Sequence, residues 1–371
     1  MTTAERHLQA GLPPTWPRRL PAWPLALALV LAACAASPSP GASASATPRH
    51  AASPSAEMST APTIGHGEEW IVYQGVELGF NLVRPDGSGR HVILGPPGDQ
   101  LHPDWSPDGS QIAYVQATDT SFDVWITDAQ GLHPEPLVAS YPEGFAGRFW
   151  DNPAWSRDGS QIAMVGYDGS PDSQVPARAA LAIVEVSSGE VSIAFDYALD
   201  DPISLLSFPR WSPDGDAIVM TVGRFDEDGD FTGEAIAVST LEEDTWSTPV
   251  VITPFEEYAT RPDWHPTDGL LVFVTHDVGY LQSTDEPSNL FTVRPDGTEL
   301  TQITDFDRGE DRASQPTWTS DGRIIFALIS GADDEQRNIA FVNADGSDLE
   351  IVAEAMVGDN NRPHPRLRPV P

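Results

Sequence analysis

The chain of 371 residues contains no lysine, because all 20 of its lysine-plus-arginine residues are arginine. Against them stand 55 acidic residues, and the formal net charge is −35. A surface this acidic repels phosphate backbones, so nucleic acid is not an expected partner. A GC-rich genome or a saline habitat would account for the missing lysine, and we draw no function from it.

Cysteine is almost absent as well. Cys34 stands alone, which excludes an internal disulfide and a cysteine-built zinc site. No Gly-x-Ser-x-Gly motif occurs, so the sequence offers no nucleophile elbow of the hydrolase type. The apolar stretch from Pro21 to Ala33 is shorter than the roughly 20 residues that cross a bilayer. No catalytic residue is assigned from the sequence.

The N-terminus has the pattern of an export signal. Arg18 and Arg19 precede the apolar stretch, which ends in the small residues of "LAAC", Leu31 to Cys34. A basic flank, a short apolar core and small residues at the cleavage site are typical of a secretory signal. "LAAC" resembles the lipobox of bacterial lipoproteins, which implies a signal peptide over residues 1–33 and lipid attachment at Cys34. The alternative is a plain cleaved signal with an incidental cysteine.

Residues 34–66 are rich in alanine, serine, proline and threonine, with little to bury. This composition predicts a disordered tether, whose roughly 30 residues would reach about 30 Å. We therefore expect an extracytoplasmic, membrane-anchored lipoprotein of a bacterial cell envelope, which touches the membrane only through its lipid.

The rest of the chain repeats one phrase. "PDWSPDGSQIAYV" has four near-copies, and their tryptophans are spaced 50, 56, 53 and 54 residues apart. In each copy a Pro-Asp-Gly type turn leads into an apolar β-rich run, which is the pattern of a hairpin. A second hairpin follows, so each unit is four antiparallel strands, A to D. Units of this size that repeat predict a β-propeller. The tryptophans are Trp105, Trp155, Trp211, Trp264 and Trp318.

The two ends of the chain set the blade number. Strands B, C and D of one more blade precede the first phrase, beginning with Trp70 to Gln74. The tail from Asn360 to Pro369 supplies a lone strand A, aligned with Pro365 in the tryptophan position. The fold class is therefore all-β, a six-bladed propeller over residues 67–371 whose last blade joins both ends of the domain. Deleting the last ten residues should open the ring.

The phrase resembles the Pro-Asp repeat of TolB-type β-propellers, which implies six blades from about Glu68 onward. The Gly-His and Trp-Asp pairs of WD repeats are absent at this spacing. Two departures separate the chain from TolB itself. TolB carries an α/β domain where this chain has the tether, and TolB is a soluble periplasmic protein. The resemblance therefore implies the fold, and the TolB role in envelope integrity is not carried over.

Antiparallel blades place the short A–B and C–D turns on one face, which we name the turn face. The longer B–C and D–A connections lie on the opposite face, the loop face, and long loops on a rigid scaffold usually carry binding residues. The residue before the proline of each strand A should line the channel mouth there. Two of the six are arginines, so the ring could seat a carboxylate or an acidic peptide tail; alternatively these side chains only hydrate the mouth. The predicted ring is His102, Asn152, Phe208, Arg261, Gln315 and Arg362.

Asp226, Asp228 and Asp230 alternate as at the start of a calcium loop. The spacing is shorter than an EF-hand loop, and a solvated acidic hairpin is the alternative, so no cofactor is expected beyond this Ca²⁺ candidate.

We expect a non-catalytic monomer that binds a protein or peptide through the loop face and channel mouth. The alternative is a propeller enzyme or carbohydrate-binding protein, such as one similar to a polysaccharide lyase, with a metal at the mouth.

Overall fold

A computed structural model describes residues 64–65, 67–74, 79–93, 99–118, 121–138, 140–142, 145, 149–168, 178–198, 201, 203–226, 231–276, 287–307, 311–330, 336–354 and 363–370. Strands dominate this part of the chain, and its one helix is the 3-10 turn Phe255–Glu257. In the described ranges no helix has the length and apolar character to cross a membrane. The predicted signal, Cys34 and the tether as far as Thr63 lie outside them, whereas Ile64 and Gly65, near the predicted end of the tether, are described and contact the propeller.

The strands form six antiparallel sheets, which confirms the predicted six-bladed propeller. We number the blades by the order of their inner strands in the chain. The inner strands A are β4 Asp99–Trp105, β8 Phe149–Trp155, β12 Leu205–Trp211, β17 Thr260–Trp264, β21 Arg312–Trp318 and β25 Arg366–Leu367. The strands B are β5 Gln111–Ala117, β9 Gln161–Asp168, β13 Ala217–Phe225, β18 Leu271–Val274, β22 Arg323–Ser330 and β1 Ile71–Gln74.

The outer half of each blade is the second hairpin. The strands C are β6 Phe122–Asp128, β10 Arg178–Glu185, β14 Phe231–Glu242, β19 Leu290–Val293, β23 Gln336–Asn343 and β2 Phe80–Val83. The strands D are β7 Glu135–Pro136, β11 Val191–Ala198, β15 Thr245–Trp246 with β16 Val250–Val251, β20 Thr301–Gln302, β24 Glu350–Glu354 and β3 His91–Ile93. Apolar side chains of strands B and C fill the space between neighbouring sheets.

Blade 3 departs from the plain four-strand pattern. Its strand C has 12 residues, and both β15 and β16 pair with it. Glu243 and Asp244 both have positive φ, as a two-residue hairpin turn requires. The outer strand is interrupted before Val250 by Pro249, which has no N–H to donate. Blade 3 therefore has a split strand D.

Blade 6 is closed by both ends of the described chain, in the order β25-β1-β2-β3. The predicted alignment of its strand A is wrong by two residues. Ile71 pairs with Leu367, as Ile112 pairs with Trp105 in blade 1. Leu367 therefore occupies the tryptophan position, and Pro365 is the counterpart of Pro103.

The repeated turn is held by its own side chains. Asp108 accepts hydrogen bonds from the Ser106 hydroxyl at 2.7 Å and from the Ser110 N–H at 2.9 Å. The Ser106 hydroxyl in turn accepts the Gln111 N–H at 2.9 Å. Because these bonds satisfy backbone donors that the turn would leave open, the Ser-x-Asp-Gly-Ser pattern fixes the A–B hairpin.

Hydrogen bonds between neighbouring inner strands run around the ring. An aspartate that precedes the repeat tryptophan accepts the N–H of the next tryptophan: Asp104 from Trp155 and Asp263 from Trp318. At three other junctions a tryptophan indole N–H donates to a backbone carbonyl of the preceding blade, namely Trp105 to Arg366, Trp211 to Ala154 and Trp264 to Arg210. Thr317 donates to the Pro365 carbonyl at the sixth junction. The five repeat tryptophans therefore join neighbouring blades, through these bonds and through the apolar clusters between the sheets.

Candidate functional site at the channel mouth

A bulge shapes the inner strand of each of the first five blades. His102 and Pro103 together stand opposite Tyr114, because the pairing jumps from Leu101–Val115 to Asp104–Ala113. The same jump occurs in blades 2 to 5. Proline cannot donate to a ladder, and right-handed helical backbone is disfavoured before it. The bulge turns the side chain before the proline away from the sheet and toward the axis.

The residues before these prolines share one backbone conformation, with φ between 44° and 57°. Left-handed backbone is unfavourable for residues other than glycine by roughly 1–2 kcal/mol each. We name this set the mouth ring: His102, Asn152, Phe208, Arg261, Gln315 and His364. Sequence reasoning predicted the first five positions. Its sixth member, Arg362, lies outside the described residues, and His364 holds the equivalent position because Pro365 follows it.

The mouth ring is built from mutual contacts. The His102 and His364 rings lie 4.4 Å apart between centroids. Asn152 Nδ2 lies 2.9 Å from His102 Nδ1, and the Arg261 guanidinium lies 4.3 Å above the Phe208 ring. Asn152, Arg261, Gln315 and His364 are each at most 7% exposed. The described mouth ring is therefore a packed layer of largely buried side chains.

Side chains of neighbouring blades hold the backbone of the mouth ring. The N–H of Phe208 donates to Asn152 Oδ1 at 3.0 Å, and that of Arg261 donates to Thr221 Oγ1 at 2.9 Å. The N–H of His364 donates to Gln315 Oε1 at 2.7 Å. These bonds satisfy donors that the bulge removes from the strand ladder, so they hold the left-handed conformation in place.

Asp151 supplies a carboxylate beside the ring, a residue that sequence reasoning missed. Its Oδ1 contacts His102 Nδ1 and also accepts the Asn152 N–H at 2.7 Å. Among the described residues, the mouth ring thus combines the Arg261 guanidinium and two imidazoles, with the Asp151 carboxylate against His102. Arg261 places a fixed positive charge at the mouth of a body whose formal net charge is −35.

A second layer of side chains lies closer to the turn face than the mouth ring. These side chains belong to the residue between the proline and the tryptophan position of the repeated phrase. We name Asp104, Arg210, Asp263 and Arg366 the charged layer. Arg210 Nη1 lies 3.3 Å from Asp104 Oδ1, and its Nε lies 3.9 Å from Asp263 Oδ1. Arg366 Nε lies 3.4 Å from Asp104 Oδ1. Blades 1 and 4 are opposite one another, so Arg210 reaches across the axis between their aspartates.

Burial controls the ionisation of this layer. The side chains are only 12–16% exposed, and desolvation raises the pKa of both aspartates, to about 7 for Asp263. Arg210 opposes this shift in both cases. The layer forms a charged floor beneath the mouth ring, so a ligand of the ring would enter from the loop face.

The predicted calcium loop lies mostly outside the described residues. Asp226 is described, whereas Asp228 and Asp230 lie outside the described ranges. Within those ranges no group of three or more histidine, cysteine, aspartate or glutamate residues is placed to hold a metal ion. Much of the loop face, including most of the segment 139–148 and the segment 277–286, also falls outside them.

The fold and the mouth ring define the class as a six-bladed β-propeller with a bulged inner strand. No protein-family model matches the chain, and no curated protein matches it.

Among solved structures, the chain is similar to TolB from Acinetobacter baumannii, with 15% identity and a TM-score of 0.57 over 81% of this chain. It spans 66% of that protein, slightly under two thirds of its length. It is also similar to a putative TolB from Agrobacterium tumefaciens, with 18% identity and a TM-score of 0.55, covering 82% of this chain and 99% of that one. A puromycin hydrolase matches with 17% identity and a TM-score of 0.53, covering 79% of this chain and 46% of the hydrolase. The resemblance to TolB-type propellers is thereby confirmed for the fold.

Proposed function

We propose that the protein is a non-catalytic, lipid-anchored, extracytoplasmic propeller that binds a protein or peptide through its loop face, with the mouth ring as the anchoring point. The observation that carries this proposal is the ring itself. Six residues keep an unfavourable backbone conformation. Side-chain contacts join five of them: His102, Asn152, Phe208, Arg261 and His364. Strain of this kind persists only where surrounding structure enforces it, and it clusters at functional sites.

The chemistry of the ring favours a carboxylate as the anchored group. The Arg261 guanidinium is stacked on Phe208 and so is held flat and pre-oriented. His102 and His364 stand beside each other in the same layer. A planar guanidinium with neighbouring imidazoles suits a side-chain or C-terminal carboxylate of a peptide. An acidic peptide that the acidic surface of this body repels would be drawn to the cationic groups of the mouth ring.

A binding measurement tests this proposal. The probe is a fluorescent acidic peptide with a free C-terminus, compared with an amidated analogue in which lysine replaces each acid. The protein is the full-length chain in detergent. Arg261→Gln should weaken binding of the acidic peptide about 10- to 100-fold, since a hydrogen bond to a charged group contributes about 1.5–3 kcal/mol. Arg157→Gln, on an exposed A–B turn, is the matched control. Equal affinity of the two peptides, or of wild type and Arg261→Gln, would refute the carboxylate site.

The anchor is proposed from the sequence, with residues 1–33 as signal peptide, Cys34 as lipid-bearing residue and residues 34–66 as tether to the propeller. The test is intact mass and membrane fractionation. The mature protein should begin at Cys34, carry acyl mass and sediment with membranes, whereas Cys34→Ser should release it to the soluble fraction. A soluble mature chain without acyl mass would refute the anchor and leave the binding proposal standing.

A further inference from the structure

The chain enters the propeller on the turn face. Arg368 donates from Nη1 to the carbonyl oxygens of Gly65 at 3.1 Å and Glu68 at 2.8 Å, and from Nε to that of Gly109 at 2.7 Å. Gly109 belongs to the A–B turn of blade 1, so the first described residues are fastened beside a turn. Arg368 is only 7% exposed. The first described residues of the propeller therefore lie at the turn face.

That face is strongly acidic. The A–B and C–D turns between the strands carry fourteen carboxylates and four arginines, a net charge of −10, and all fourteen acidic residues are exposed. The acidic residues are Asp86, Asp108, Asp158, Glu190, Asp214, Asp216, Glu243, Asp244, Asp268, Asp296, Glu299, Asp321, Asp345 and Asp348. The arginines are Arg84, Arg90, Arg157 and Arg294.

The geometry of the turns favours the ionised form of four of these carboxylates. Backbone and hydroxyl donors of the turn bond to the carboxylates of Asp108, Asp158, Asp296 and Asp345. Side-chain and backbone hydrogen bonds of this kind lower the pKa of each of the four. The acidity of the face is therefore a fixed feature of its repeated turn.

We infer that the turn face is the membrane-facing side of the protein and that it stands off from anionic headgroups, so that the loop face and mouth ring point away from the bilayer. This inference rests on the proposed lipid anchor. The tether holds the propeller at its turn face. Electrostatic repulsion between the acidic propeller and the anionic headgroups moves the propeller away from the bilayer. A body pushed outward against a tether turns its attachment point toward the membrane. A partner of the mouth ring then approaches from the side remote from the membrane.

Energy transfer from a label on each face to acceptor-labelled lipid measures this orientation. Ser320→Cys places a thiol on an A–B turn of blade 5, and Ser140→Cys places one on the D–A connection of blade 1; both positions are exposed. Acylated Cys34 has no free thiol, so only the introduced cysteine is labelled. A seven-residue inner strand separates the faces by about 23 Å, which energy transfer resolves. The probe membranes are phosphatidylcholine vesicles with and without 30% phosphatidylglycerol (roughly the charge density of an anionic leaflet).

The label at position 320 should transfer more efficiently than the label at position 140 in both membranes. Phosphatidylglycerol should lower both transfer efficiencies and increase the ratio of the efficiency at position 320 to that at position 140. Salt at 1 M should reverse both changes, because it shortens the Debye length to about 3 Å. A ratio of one, or a more efficient label at position 140, would overturn the orientation while vesicle flotation still supports the anchor. Wild-type protein that fails to float with vesicles would instead refute the anchor, and the orientation with it.

Discussion

Replacement of Arg368 is the sharpest test of how the propeller is closed. The guanidinium makes three hydrogen bonds to backbone carbonyls, two of which belong to the entering N-terminal segment and one to blade 1. It also lies 5.9 Å from the Trp105 ring. A Cβ at Gly109 would come within 2.6 Å of the Pro369 carbonyl oxygen, which shows how closely the C-terminal strand lies against the first blade.

Arg368→Met keeps an unbranched side chain in place of the arginine stem and removes the donors of all three hydrogen bonds. A buried carbonyl left without its partner destabilises the fold by about 1–3 kcal/mol, and hydrogen bonds to a charged donor stand at the upper end of that scale. Water can reach the partly buried Gly65 and Glu68 carbonyls, so the expected total is about 3–5 kcal/mol rather than three full penalties. For a domain of roughly 300 residues this lowers Tm by about 5–8 °C.

The assay is thermal and urea unfolding of the full chain, followed by far-UV circular dichroism. Arg368→Lys retains the charge and one donor and should fall between wild type and Arg368→Met. Arg157→Met, an exposed turn arginine, is the matched control and should change Tm by less than about 1 °C. A Tm of Arg368→Met within about 1 °C of wild type would show that the arginine does not secure the closure.

Three other perturbations test separate parts of the molecule. Burial raises the pKa of Asp263 from 3.8 to about 7, so the folded state keeps a proton there that the unfolded state releases near pH 4. The stability that protonated Asp263 contributes is therefore present below pH 4 and is lost as the pH rises to about 7. Between pH 4 and pH 8 the free energy of urea unfolding should fall by about 1–3 kcal/mol more in wild type than in Asp263→Asn. Parallel curves of unfolding free energy against pH for the two proteins would contradict this. Asp216 stands where blades 1 and 2 have Ser110 and Ser160, and its carboxyl contact with Asp214 raises the pKa of Asp216. Asp216→Ser should stabilise the fold by about 0.5 kcal/mol at pH 7 and by less at pH 4, measured as the urea midpoint; a lower midpoint would be the contrary result. Deletion of residues 363–371 removes β25 and the hydrogen bonds that its segment accepts from Trp105 and Thr317. Because the edge of β1 is then exposed, size-exclusion chromatography should show that the truncated protein self-associates. A truncated protein that stays monomeric with the wild-type Tm would contradict the role of β25 in closing the propeller.

Much of the fold is predictable from the repeat. The tryptophan spacing and the Pro-Asp-Gly turns specify the hairpins, because each uses local backbone chemistry that a sequence displays. The last inner strand is harder, since Leu367 replaces the tryptophan and two prolines, Pro363 and Pro365, compete for one position. The pair His364-Pro365 repeats His102-Pro103 of the first phrase, which is the signal that would have given the correct alignment.

The site is only partly predictable. Position in the phrase locates five of the mouth-ring residues, but it does not show that the bulge packs them against one another. The charged layer was missed, although its residues all occupy the slot between proline and tryptophan. Arg210 reaches Asp104 two blades away, and such a contact depends on closure of the whole ring. Asp151 was missed for the same reason, because its partner His102 belongs to the neighbouring blade.

Hydrogen–deuterium exchange of the full chain, with and without the acidic peptide, tests the central claim most directly. The amides of Phe208 and Arg261 bond to side chains that take part in the mouth ring or lie beside it. Binding at the ring should slow exchange in peptides covering residues 205–211 and 260–264 and leave the turns at 106–110 and 156–160 unchanged. Protection confined to those turns, with none at the ring, would contradict the account.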